Sequence, residues 1–216
     1  DELINCWNGM LANLSDKSKS TDLVLMLRHY YFTKDGHITK NQLYRELKRL
    51  IEDRGMLIDS FVVEVLSYSE WHKEVADGNK DAFKNLIFDE YLCGKWPRSN
   101  YENHADRLYF SFAALKLFNF KPVFPLLYSY FNKIKKLIQE DKIVKSRNDK
   151  LFGKMEKFLR RLENYHFINY KVCSQKVAFI EKLFAEYAKS VNNTTSQDEL
   201  DQHVEALFKK LKADLK

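Results

Sequence analysis

Apolar residues recur three or four positions apart along almost the whole chain, and very little interrupts them. Six Gly and three Pro in 216 residues are too few to turn the many strands of a sheet protein, so the periodicity reads as helix after helix. Leu3, Ile4, Trp7, Leu11 and Leu14 form a first stripe. Leu23 to Tyr31 is a second, closed by the loop Thr33 to His37. Thr39 and Gln42 have the spacing of a capping box, which launches Leu43, Leu47, Leu50 and Ile51 and stops near Gly55. A fourth helix is expected from Leu57 to Ala76, and Asn79 can cap a fifth that ends at Cys93 and Gly94. Gly36, Gly55, Gly78 and Gly94 all fall between periodic segments.

Residues 95–100 are the best boundary between two helical halves, 1–97 and 98–216. Past it, Leu108 to Phe118 is apolar on nearly every face and is expected to be the central buried helix. Pro122 suits the first turn of the next, whose stripe is Val123, Leu127, Tyr130, Ile134 and Leu137. Asn148 can cap the stripe Leu151, Met155, Phe158, Leu162 and Tyr165. Val177, Ile180, Phe184, Tyr187 and Val191 follow, and a box from Ser196 to Glu199 starts Leu200, Val204, Leu207 and Leu211. The fold class is therefore all-α, about ten helices in an irregular multi-helix bundle.

Composition narrows the class further. With 45% hydrophobic and 31% charged residues the chain is neither disordered nor membrane-embedded, and its length suffices for a sizeable core. The longest charge-free stretch in its apolar middle, Pro122 to Asn132, is far short of the roughly 20 residues of a spanning helix, so no membrane partner is expected. Cys6, Cys93 and Cys173 are odd in number and widely spaced. They suit small buried hydrophobes in a reducing cytoplasm better than a disulfide framework or zinc ribbon. The chain opens at Asp1 without Met or a signal peptide, as a piece cut from a longer protein would.

Catalytic and metal motifs fail on their ligand sets. If Gly36 is aligned to the invariant glycine of an EF-hand loop, Tyr31 and Gln42 occupy the two anchoring acidic positions. Glu163 and His166 have the Glu-x-x-His spacing, but a di-iron site needs a second such pair and two further glutamates. Glu70, His72 and Glu74 sit close together on one helix, as solvated faces commonly do. No phosphate-cradling loop, nucleophile elbow or His-Glu-x-x-His is present. No catalytic residue, metal ligand or cofactor is assigned.

Charge is the less ordinary feature. Between Lys133 and Arg161 there are 11 basic residues against four acidic ones, a net of +7, whereas the whole chain nets only +6. Lys150, Lys154, Lys157 and Arg161 repeat at i, i+4, i+7 and i+11, one stripe running roughly 16 Å along a helix. With Lys133 and Lys136 they are the candidate contacts to a DNA backbone, since lysines suit phosphates better than base edges.

The order of motifs resembles the GmrSD-type modification-dependent restriction proteins. The resemblance rests on Leu27-Arg28-His29-Tyr30-Tyr31 and Leu43-Tyr44-Arg45-Glu46-Leu47-Lys48. It continues through the apolar run from Leu115 into the proline-started helix at Pro122 to Leu127, and Leu162-Glu163-Asn164-Tyr165-His166-Phe167. Such proteins carry a ParB/sulfiredoxin-like nucleotide-hydrolysing and nuclease region, a helical region, and an HNH nuclease domain. Their Asp-Gly-Gln-Gln-Arg motif and any His-rich HNH stretch are missing here. The resemblance therefore implies the helical middle of such a protein, with flanking catalytic domains as partners and no catalytic residue to carry over.

Three readings follow. The first is a helical scaffold or linker of a modification-sensing restriction or anti-phage nuclease that also contacts the DNA backbone. The second is a free-standing protein-interaction scaffold. The third is an enzyme whose site assembles from dispersed residues such as Glu70, His72 and Glu163.

Overall fold

A computed structural model describes residues 2–14, 19–77, 79–92, 98–143, 148–173 and 178–213, which form ten α-helices and no strand. The helices are α1 (Glu2–Ala12), α2 (Lys19–Asp35), α3 (Leu43–Glu52), α4 (Ile58–Asp77) and α5 (Lys80–Asn85), then α6 (Arg98–Leu117), α7 (Phe124–Gln139), α8 (Asn148–His166), α9 (Ala178–Asn192) and α10 (Gln197–Ala213). Two continue as π-helical turns: α5 into Leu86–Tyr91 and α8 into Phe167–Val172.

Local chemistry explains most of the boundaries. Gln42 Oε1 accepts from the Thr39 backbone N–H at 2.8 Å, the expected reach-back of the capping box. Asn79 accepts from Ala82 N–H at 2.9 Å and starts α5. Ser196 Oγ accepts from Glu199 N–H at 3.2 Å, but Glu199 reaches back one residue further than expected, to Thr195 N–H at 2.7 Å. α6 and α7 end on left-handed residues, Asn119 (φ 56) and Asp141 (φ 53). Phe120 N–H then bonds to Leu115 O at 3.0 Å and Lys142 N–H to Leu137 O at 2.9 Å, closing each helix in the Schellman manner. The Asn148 cap and the punctuation at Gly78 and Gly94 lie outside what the structure describes.

Three expectations are corrected. α2 does not stop at Tyr31 but runs to Asp35. Thr33 Oγ1 donates to Tyr30 O at 2.7 Å and Tyr31 donates to Asp35 at 3.0 Å, so the polar residues bond within the helix instead of breaking it. Gly36, at φ 88, makes the actual stop. The central helix is α7, buried from Phe124 through Phe131, and not α6, where Phe110 and Leu117 are exposed. The first half of the α1 stripe, Leu3, Ile4 and Trp7, is also exposed, and Met10 is buried in its place.

The register of contacts gives the topology. Arg28–Glu181 and Asp35–Lys189 keep a nearly constant offset, so α2 and α9 run parallel. Tyr101–Phe152 and His104–Glu156 do the same for α6 and α8. α7 and α9 pack together at the centre, with α2 against both. One apolar cluster runs from Met10 to Leu211 and crosses the 97/98 boundary. At its heart Trp71 of α4 meets Tyr91 on one side of that boundary and Phe112 and Phe131 on the other. The boundary residues themselves are outside the described set. Among the described residues no helix is long and apolar enough to cross a membrane.

Candidate functional site

The basic stripe is built by α8, whose Leu151, Met155, Phe158 and Leu162 turn inward and leave Lys150, Lys154, Lys157 and Arg161 on an adjacent flank, about 100° round the helix. That flank meets α10. Lys154 pairs with Asp201, and Arg161 and Lys157 both reach Glu205, at 2.7 and 3.7 Å. The Arg161 guanidinium also lies 3.7 Å from the centroid of the Phe208 ring. Arg161 holds the Glu205 carboxyl below its usual range. Between Tyr130, Arg161, Val204 and Glu205 a cavity of about 180 Å³ remains. Lys150 is exposed, with no ion-pair partner among the described residues. Three of the four stripe cations thus face two carboxylates. Asp201 and Glu205 were not singled out from sequence, although their i, i+4 spacing matches that of Lys150 and Lys154 on the facing helix.

Lys136 is exposed, whereas Lys133 is not a surface residue. It lies three residues after Tyr130 and four before Leu137, on the buried face of α7. Its stem therefore follows the apolar stripe, and Nζ donates to the Thr194 carbonyl at 2.7 Å in the α9–α10 turn. Burial, reinforced by Lys136, lowers its pKa. Lys133 anchors α7 to that turn and is unavailable to a phosphate.

The dispersed acidic and histidine residues do not converge. Glu70 is exposed on α4; partial desolvation and the nearby Glu90 raise its pKa, while Lys135 opposes them. Glu163 lies on α8, which packs against α6 and α10, whereas α4 packs against α1, α2 and α7. His166, its partner in the Glu-x-x-His spacing, is buried and stacks on Phe120 with ring centroids 3.7 Å apart. Among the described residues no group of three or more His, Cys, Asp or Glu could hold a metal ion. A second cavity, of about 260 Å³, is lined by Asp81, Lys84, Asn85, Phe88 and Glu102. Its lysine is already engaged, because Lys84 pairs with Glu102 at 2.9 Å and with Asp106 at 2.5 Å.

Asp35, at the end of α2, is a carboxylate with three side-chain donors. It accepts from Tyr31 at 3.0 Å, from Arg54 beyond α3 at 2.6 Å and from Lys189 on α9 at 2.7 Å. Partial burial alone would raise its pKa, but these three donors outweigh it and hold the carboxyl well below the usual carboxylate range. Nearby, Arg28 donates to Ile38 O and to Glu181, both at 3.2 Å, and fixes the α2–α3 connection on α9. No family model matches the chain, and neither a curated protein nor a solved structure is significantly similar to it.

Proposed function

We propose that the chain is a helical scaffold module that holds partner or flanking domains in a fixed relation. The observation that supports it is the large core from Met10 to Leu211, beside which a smaller cluster of Phe32, Leu43 and Ala185 seals α3 on α2 and α9, with ionic ties between helices laid across them. Charged side chains that a catalytic site would leave poised toward a substrate are here spent on fastening α2 to α9 and α8 to α10. In a GmrSD-type protein such a module would stand between the nucleotide-hydrolysing and nuclease region and the HNH domain, transmitting geometry from one to the other. The test is single-molecule energy transfer between dyes on the exposed faces of α1 and α10. A rigid module gives one narrow transfer efficiency up to its unfolding temperature, and a broad or multiply peaked distribution contradicts the scaffold role.

Contact with a DNA backbone is a second reading, favoured by Lys136 and Lys150, which are exposed and have no ion-pair partner among the described residues. With Lys154, Lys157 and Arg161 already facing carboxylates, about two phosphates could be neutralised. That gives a log–log salt slope near −1.8, against about −4.5 were all five cations unoccupied. Duplex binding with the steeper slope would restore the stripe as a nucleic-acid surface.

A further inference from the structure

Phe120 gathers three helix ends. Its ring stacks on His166 at the end of α8 and packs against Phe184 of α9 at 5.6 Å, while its own segment joins α6 to α7. Phe118 extends the junction to Phe167 at 5.9 Å. At this end large apolar side chains stand out into solvent: Leu117 is 82% exposed, Phe179 56%, Phe167 48% and Ile168 46%. Phe167 and Ile168 open the π-helical turn that continues α8, and such turns recur at functional positions. Lys116, Lys121 and Lys182 belong to the same helix ends, and none has an ion-pair partner among the described residues.

We propose that this surface docks an acidic amphipathic helix of a protein partner, a proposal that rests on the scaffold reading and names the face through which the scaffold holds its client. Exposed Phe and Leu with a charged rim have the composition of a protein interface centre and its edge. The three unpartnered lysines select carboxylates. Three is also fewer than the roughly four to eight cations by which a protein surface recognises anionic lipid, which favours a protein partner over a bilayer. The fold already contains the same recognition on α8: α10 buries Leu200, Leu207 and Phe208 while presenting Asp201 and Glu205 to the α8 cations. An external helix with leucines at i, i+4 and i+7 flanked by glutamates would repeat that chemistry at the other end of α8.

The probe is a fluorescent designed peptide of that pattern, about 18 residues long, titrated with the intact chain at low salt. Saturable binding is expected, weakened at least tenfold in Leu117→Glu/Phe167→Glu and in Lys116→Glu/Lys121→Glu/Lys182→Glu. A peptide with lysines in place of its glutamates should not bind. Leu117, Phe167, Lys121 and Lys182 are exposed and Lys116 is half-buried, and an unchanged far-UV spectrum and melting temperature will establish that each variant is folded. Absence of peptide binding, or equal binding by both variants, overturns the proposal. So does binding of phosphatidylserine vesicles without binding of the peptide, which would make the surface a lipid contact. A narrow transfer-efficiency distribution alongside failed peptide binding would sink the docking surface alone, whereas a broad distribution would sink the scaffold reading itself.

Discussion

Replacing Asp35 with Asn should unfasten the end of α2 from both α9 and the segment after α3. The substitution keeps the shape and removes the charge that Arg54 and Lys189 share. A hydrogen bond to a charged group contributes about 1.5–3 kcal/mol when well shielded, and an exposed ion pair less than about 1 kcal/mol. Here the carboxylate is only 18% exposed, but Arg54 and Lys189 are 47% and 42% exposed and regain water when released. Asn Oδ1 also keeps the Tyr31 bond. The net loss is therefore about 2 kcal/mol, or about 4–8 °C in melting temperature for a chain of this size. The pH dependence adds a second constraint. Because the folded-state pKa lies below the unfolded value of about 3.9, the stabilisation is fully present above that value and fades as pH falls toward the folded pKa. Thermal melts of wild type and Asp35→Asn followed by circular dichroism should differ most near pH 7, and the gap should have narrowed by pH 3. An unchanged melting temperature at pH 7, or a gap of equal size at pH 7 and pH 3, would refute the reasoning.

Asp201→Asn/Glu205→Gln should expose the α8 cations, and fluorescence anisotropy with duplex DNA should then give a salt slope steepening from about −1.8 toward about −4.5. Leu127→Ala, at a fully buried position of α7, should cost about 3 kcal/mol in denaturant unfolding at unchanged m-value. Gly36→Ala should cost about 1–2 kcal/mol, read as a lower denaturant midpoint. Its cause is the positive φ alone, since the added Cβ would come no closer than 4.0 Å to Lys189 Cδ.

Helix number and class were legible in sequence because 3.6-residue periodicity is a local property, and few Gly or Pro residues obscured it. The inward stripes of α7 and α8 were legible for the same reason. What failed depended on partners distant in sequence. An all-round apolar segment at Leu108–Phe118 looks more central than it is, because Phe110 and Leu117 find no helix to cover them. The end of α2 was misplaced because Asp35 reads locally as a breaker, whereas donors from Tyr31, Arg54 and Lys189 make it a fastening. Lys133 was misjudged because its charge outweighed its position on the buried face of α7. The basic stripe was visible, but its partial neutralisation by Asp201 and Glu205 was not, since sequence does not reveal that α10 lies across α8. Nor does sequence periodicity distinguish the π-helical turn that places Phe167 and Ile168 on the surface.

The central claim is that one core joins both sides of the 97/98 boundary into a single rigid unit. Native-state hydrogen exchange tests it most directly, because it assigns an opening free energy to each segment. The account predicts that the slowest amides of α4, before the boundary, and of α7 and α9, after it, share one opening free energy, equal to that of global unfolding. They should also respond together to Leu127→Ala. A distinctly lower opening energy for α4 than for α7 and α9, unaffected by that substitution, would mean two independently stable halves and would contradict it.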